Sequence, residues 1–196
     1  MNKERLTAFS DGVIAIIITI MVLELQVPAG TGWAALAGML PMFLSYLLSF
    51  LYVAIYWNNH HHLLQTVQGV NGLILWANTH LLFWLSLTPF ATAWLGRNYH
   101  AAVPTAVYGG VLLLAAIAYY LLQRTIIRTE GRDSTLAAAL GSDLKGKLSP
   151  ALYATAIGLA FVNPALSDLI YALVALLWFV PDRRIEHRLT RPHERN

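Results

Sequence analysis

The chain of 196 residues is 57% hydrophobic and 12% charged, about half the roughly 25% charged share of a soluble domain. Mean hydropathy is +0.56 and several apolar runs approach 20 residues, which excludes a soluble globular domain and places the chain in a bilayer. Formal charge is +3, and the absence of cysteine excludes disulfides, zinc–cysteine sites and thiol catalysis.

The first predicted helix spans about 6–27 and stops before Pro28. It is too long for the apolar core of a signal peptide, it contains Asp11 and Glu24, and no A-x-A cleavage site follows. At about 100° per residue, Gly12, Ile20, Leu23 and Val27 fall within about 40° of Ile16, and Thr19 within about 60°. Ser10 and Asp11 fall about 120° and 140° away, on the back of the helix. One face is therefore an apolar stripe with one hydroxyl. The back carries a carboxylate that costs about 2.5–3.5 kcal/mol at a membrane centre, and less near an interface, so it needs partners. Arg5 is the nearest cation in sequence.

The second predicted helix covers about 33–57, with Pro41 expected to kink it. It ends in Tyr56-Trp57-Asn58-Asn59-His60-His61-His62. Adjacent helical histidines point about 100° apart and cannot converge on one ion, so no metal site is assigned. A histidine here is instead expected to bond Asp11 or backbone. The third helix, about 73–95, holds Asn78, His80 and Thr88-Pro89, polar positions expected to face protein rather than lipid. The fourth, about 105–122, opens on Thr105-Ala106-Val107-Tyr108-Gly109-Gly110. That string lacks the order and the preceding pore helix of a carbonyl-type potassium filter, and both glycines are assigned to close helix packing. The fifth and sixth, about 148–162 and 164–180, form a hairpin around Asn163-Pro164. The charged stretch from Arg124 to Lys147 reads as a loop with a short helix near residues 134–140, and 182–196 as a basic cytoplasmic tail.

Topology follows from charge. Lys3, Arg5, Arg124, Arg128, Arg132, Lys145, Lys147 and five arginines beyond residue 182 share one side, and only Arg97 lies opposite. The positive-inside rule places both termini in the cytoplasm, with an even number of crossings. Trp33, Trp57, Trp94 and Trp178 sit at segment ends, where interfacial anchors belong. The fold expected is an all-α integral membrane protein with six transmembrane helices in one domain, 1–181. No catalytic motif is present and no enzyme is expected. No internal repeat relates the halves, which disfavours a secondary transporter. A proton- or cation-coupled carrier using Asp11 with His60 or His80 remains the second reading, and a membrane scaffold the third.

Arg5, Phe9, Ser10 and Asp11 form an Arg-x-x-x-Phe-Ser-Asp string, with Ile16 five and Thr19 eight residues beyond Asp11. With Trp57-Asn58-Asn59-His60, Asn78, Leu87-Thr88-Pro89-Phe90-Ala91-Thr92 and the stretch from Phe179 to Ile185, the chain resembles bacterial members of the transmembrane-protein-175 family, relatives of the lysosomal potassium channel. The resemblance implies a homotetrameric potassium-selective channel in the cell membrane, with four first helices lining the pore. It implies pore-lining roles for Ile16, Thr19, Ile20 and Leu23, with Ile16 the tightest apolar ring and potassium passing near Ile16 and Thr19. It implies a polar network behind the pore from Arg5, Phe9, Ser10, Asp11, Trp57, His60 and Asn78. Neither cofactor nor nucleic acid is expected; the bilayer and sister subunits are the partners.

Overall fold

The computed structural model describes residues 2–131, 134, 136 and 144–179. Among these, eight helices form: α1 (Lys3–Leu23), α2 (Trp33–Gly38), α3 (Leu40–Gln65), α4 (Gly72–Ser86), α5 (Thr88–Arg97), α6 (Ala102–Glu130), α7 (Leu144–Leu159) and α8 (Pro164–Phe179). Four segments are long and apolar enough to cross a membrane: 3–23, 40–65, 72–97 and 102–130; α8 is a shorter apolar helix. The expected short helix near 134–140 and the tail 182–196 lie outside the described residues, apart from Ser134 and Leu136.

The prolines punctuate as their chemistry requires. Pro41 and Pro89 fall in the first turns of α3 and α5, where a missing N–H costs least. The second predicted segment is therefore split at Met39, and the third at Leu87. α1 ends at Leu23, not Val27: Glu24 is its C-cap, so Val27 leaves the predicted stripe. At the C-terminal ends of two other helices the opposite correction applies. α3 runs on to Gln65, and α6 to Glu130, so Arg124 and Arg128 are helical rather than looped. Hydropathy marks where hydrocarbon ends, but a helix satisfies its own backbone and continues into water. α7 begins at Leu144, before Pro150, and ends at Leu159, three residues short of the expected 162.

α1 packs against α3, α4 and α5. α6 runs through the middle, against α4, α5, α7 and α8, while α7 and α8 form a hairpin that also reaches α3 through α8. One apolar core joins Leu6, Ile14, Ile17 and Met21 of α1 to α3, α4 and α6. A second joins α3, α5, α6, α7 and α8 around Tyr108, Tyr153 and Tyr171. Apolar burial gives little drive between helices in lipid, so close packing and interhelical hydrogen bonds must hold the bundle. Lys3 contributes at one end, donating Nζ to the Gln65 carbonyl at 2.9 Å, a cation on the C-terminus of α3.

Candidate functional site: the two faces of the first helix

The packed side of α1 is Leu6, Ser10, Ile14, Ile17 and Met21, each buried. The opposite side, Gly12, Ala15, Ile16, Thr19, Ile20 and Leu23, is exposed among the described residues. Ile16 is 59% exposed and Leu23 76%. The two sides follow from 3.6-residue periodicity, because a run of isoleucines offers no other distinction. Thr19 donates its hydroxyl to the Ala15 carbonyl at 2.9 Å, which satisfies its proton and leaves oxygen lone pairs on the open side.

Behind this face the polar side chains divide into two groups. Ser10 donates to the Leu6 carbonyl at 2.8 Å. Its hydroxyl accepts from Asn78 Nδ2 at 2.9 Å. Asn78 Oδ1 meets His60 Nε2 at 2.6 Å. Since the Asn78 oxygen can only accept, His60 carries its proton on Nε2. All three side chains are buried, so this chain of bonds ties α1 to α4 and α4 to α3 without water. Separately, Trp57 donates Nε1–H to Asp11 Oδ1 at 2.9 Å.

Arg5 and Phe9 join neither group; both are exposed. Arg5 lies six positions before Asp11 and so about 120° round the helix from it, which explains why sequence proximity does not pair them. The Asp11 partner is an indole, not a histidine. Among the described residues the one ion pair joins Glu24 to Arg97 at 2.9 Å, fastening the C-terminal end of α1 to α5.

A second buried polar cluster was not singled out in the sequence. Thr92 donates its hydroxyl within 2.7 Å of both Ser49 Oγ and the Thr88 carbonyl. Ser49 and Tyr108 hydroxyls lie 3.0 Å apart. Tyr52 donates to the Tyr171 carbonyl at 2.6 Å, and Tyr171 to the Thr105 carbonyl at 3.2 Å. The signal available was the spacing of Ser45 and Ser49, one turn apart on an otherwise apolar helix. The two assigned packing glycines also separate: Gly109 is pressed against Tyr171 and Ile157, whereas Gly110 faces open space.

A model of the endosomal/lysosomal potassium channel TMEM175 matches residues 5–89, the segment that contains both polar groups and the open face. A potassium channel of Chryseobacterium sp. is 57% identical over 96% of this chain and 98% of its own length. This chain belongs to the TMEM175 family. A potassium channel of Streptomyces collinus is 32% identical across 91% of this chain and 92% of its own. The crystal structure of a lysosomal potassium-selective channel TMEM175 homologue from Chamaesiphon minutus superposes with a TM-score of 0.78 at 29% identity, covering 92% of this chain and 97% of that one. This TMEM175-family chain is thus an all-helical, multi-pass membrane protein of a channel family, not an enzyme.

Proposed function

We propose that this chain forms a homotetrameric potassium-selective channel, with four copies of α1 around a central pore. The observation that carries the reading is the exposed face of α1: Gly12, Ile16, Thr19, Ile20 and Leu23 lie open while Leu6, Ser10, Ile14, Ile17 and Met21 on the other side are buried. A helix of this hydropathy with one unpartnered, hydroxyl-bearing face fits an interior that only sister subunits complete. Relatives named as potassium channels support the choice of ion.

In this reading Ile16 forms the apolar constriction and Thr19 the adjacent ring of oxygens. Ile20 and Leu23 line the path toward the outer mouth. A ring of isoleucines closes by shedding water, since a narrow apolar passage excludes hydrated ions. Thr19 offers acceptor oxygens to a passing cation because its proton is already committed to Ala15. No carbonyl filter is invoked. The Ser10–Asn78–His60 and Asp11–Trp57 bonds hold the reverse face of α1 and so fix where Ile16 and Thr19 point, while Arg5 and Phe9, exposed and within about 20° of Ile16, extend the open face toward the N-terminus.

Six crossings are proposed per subunit, from α1, α2 with α3, α4 with α5, α6, α7 and α8. In this reading residues 1–181 constitute one channel domain in the cell membrane, both termini are cytoplasmic, and 182–196 is a basic cytoplasmic tail. The carrier reading has less support, since Asp11 and His60 belong to separate groups and His80 is engaged by Trp84.

Bilayer recordings in asymmetric potassium and sodium test the proposal. The parent should reverse near the potassium equilibrium potential. Ile16→Asn should raise open probability or conductance by wetting the constriction, and Thr19→Val should weaken discrimination against sodium. An Ile16→Asn channel indistinguishable from the parent would remove α1 from the pore.

A further inference from the structure

A groove of about 440 Å³ lies between α3 and α8, a volume within the roughly 300–1,000 Å³ of small-molecule sites. Leu44, Leu47, Leu48 and Leu51 of α3 face Leu169 and Leu176 of α8 along it. The groove is open at its side: Leu47 is 41% exposed, Leu169 54% and Leu176 60%. One charged side chain lines it, Asp168, about one turn inside the start of α8, with Tyr99 also in the lining.

Asp168 differs from Asp11 and Glu24, the two carboxylates already placed. Asp11 has Trp57, and Glu24 has Arg97. Both Asp168 oxygens are buried, and among the described residues no group donates to either. His100, in the turn between α5 and α6, is near enough to act on it electrostatically but forms no hydrogen bond or ion pair with it. A buried carboxylate without donors is costly, and more so in a membrane. The missing donor is therefore sought outside the described residues.

The surroundings state its chemistry. An apolar trough that runs along two spanning helices suits an acyl chain. A carboxylate one turn inside the helix end suits a cation at headgroup depth, and its two unpartnered acceptor oxygens suit a cation that carries N–H donors. A primary ammonium offers three such donors, whereas a quaternary ammonium offers none. We propose that this groove binds a phosphatidylethanolamine-type lipid from the outer leaflet. Its ammonium meets Asp168 and one acyl chain lies against the leucines of α3 and α8. The inference rests on the proposed crossing of α3 and α8 with the α7–α8 turn outside, and not on which ion the channel conducts.

Native mass spectrometry of the purified full-length assembly, titrated with phosphatidylethanolamine or phosphatidylcholine of identical acyl chains, tests it. The parent should retain the ethanolamine lipid roughly tenfold better, the worth of one charge-assisted hydrogen bond. Asp168→Asn should bring the two lipids to equal retention. Leu169→Trp, which fills the groove but keeps the carboxylate, should lower retention of both. Equal retention by the parent, an undiminished preference in Asp168→Asn, or a parent that retains neither lipid because a second copy covers the groove would each overturn the proposal. The chain is cysteine-free, so Asn163→Cys tests the orientation separately. Labelling by an impermeant maleimide from outside is expected, and labelling only from the cytoplasm would overturn the outer-leaflet placement. Conduction by Asp168→Asn reports on the channel reading independently.

Discussion

Trp57 and Asp11, 46 positions apart in sequence, are joined by a 2.9 Å bond from the indole N–H to the carboxylate. The bond fixes the rotation of α1 about its own axis, because Asp11 lies about 140° from Ile16 on the helix. Any slackening at Trp57 therefore turns the open face. Trp57→Phe keeps an aromatic ring, though a smaller one, and removes the donor. It should cost about 1.5–3 kcal/mol per subunit, the range for a hydrogen bond to a charged group, toward the lower end because Trp57 is 45% exposed. Thermal unfolding and recovery of the intact assembly in detergent check this. Asp11→Ala should likewise lower assembly yield more than conductance per channel. Normal yield with altered ion selectivity would place Asp11 in the permeation path.

The Ser10–Asn78–His60 chain predicts an order of severity. Asn78→Ala strands a buried donor on His60 and removes the acceptor that fixes its tautomer. Ser10→Ala leaves Asn78 Nδ2 unpaired but disturbs nothing at His60. Ser10 also spends its own proton on the Leu6 carbonyl, a bond whose loss is mild because that carbonyl still belongs to the helix. Each buried group left unsatisfied costs about 1–3 kcal/mol, so Asn78→Ala should lower the melting temperature more than Ser10→Ala. Equal effects would mean that the three side chains do not act as a chain.

These relations mark how far the sequence could be read. The open face of α1 was legible because 100° per residue is fixed geometry, and Ile16, Thr19, Ile20 and Leu23 need no neighbour to define it. Val27 was misplaced because the helix ends at Leu23, and nothing in the apolar run announces that end. The partner of Asp11 was not legible. Proximity in sequence favoured Arg5, yet side chains six residues apart on one helix diverge, and the indole that meets Asp11 arrives from α3. Asn78 could be marked as needing a partner because amides are costly in lipid, but its choice of Ser10 and His60 depends on how α1, α3 and α4 pack. Arg124 and Arg128 read as loop because charge marks the end of hydrocarbon, not the end of a helix.

Gly109 and Gly110 offer a paired test of the α6–α8 contact. A methyl group at Gly109 would sit 2.0 Å from the Tyr171 hydroxyl oxygen and 2.9 Å from Ile157 Cγ1. Tyr171 is itself held by its bond to the Thr105 carbonyl and stands against Tyr108 with centroids 5.6 Å apart. The ring has little room to yield, so Gly109→Ala should destabilise by about 1–3 kcal/mol through overpacking. At Gly110 the added methyl meets nothing within 4 Å, and replacing a mid-helix glycine by alanine gains up to about 1 kcal/mol. Opposite signs of the two melting-temperature shifts are expected. A Gly109→Ala protein as stable as the parent would show that α8 does not seat against α6 there.

The Glu24–Arg97 pair gives the prediction with a salt signature. Both side chains are nearly half exposed, at 44% and 46%, so the pair contributes at most about 1 kcal/mol and its loss should barely move unfolding. Its electrostatic effect is larger. Arg97→Gln removes the cation beside the C-terminal end of α1 and leaves the Glu24 carboxylate uncompensated. With α1 around the pore, four such carboxylates would ring the outer mouth and concentrate cations there. Inward potassium current should rise at low ionic strength, where the screening length is about 30 Å at 0.01 M, and converge on the parent value near 1 M salt, where it is about 3 Å. Glu24→Gln should produce the opposite change with the same salt dependence. Currents that differ from the parent equally at both salt concentrations would mean that the substitution acts by moving α5 against α1, and not through charge at the mouth.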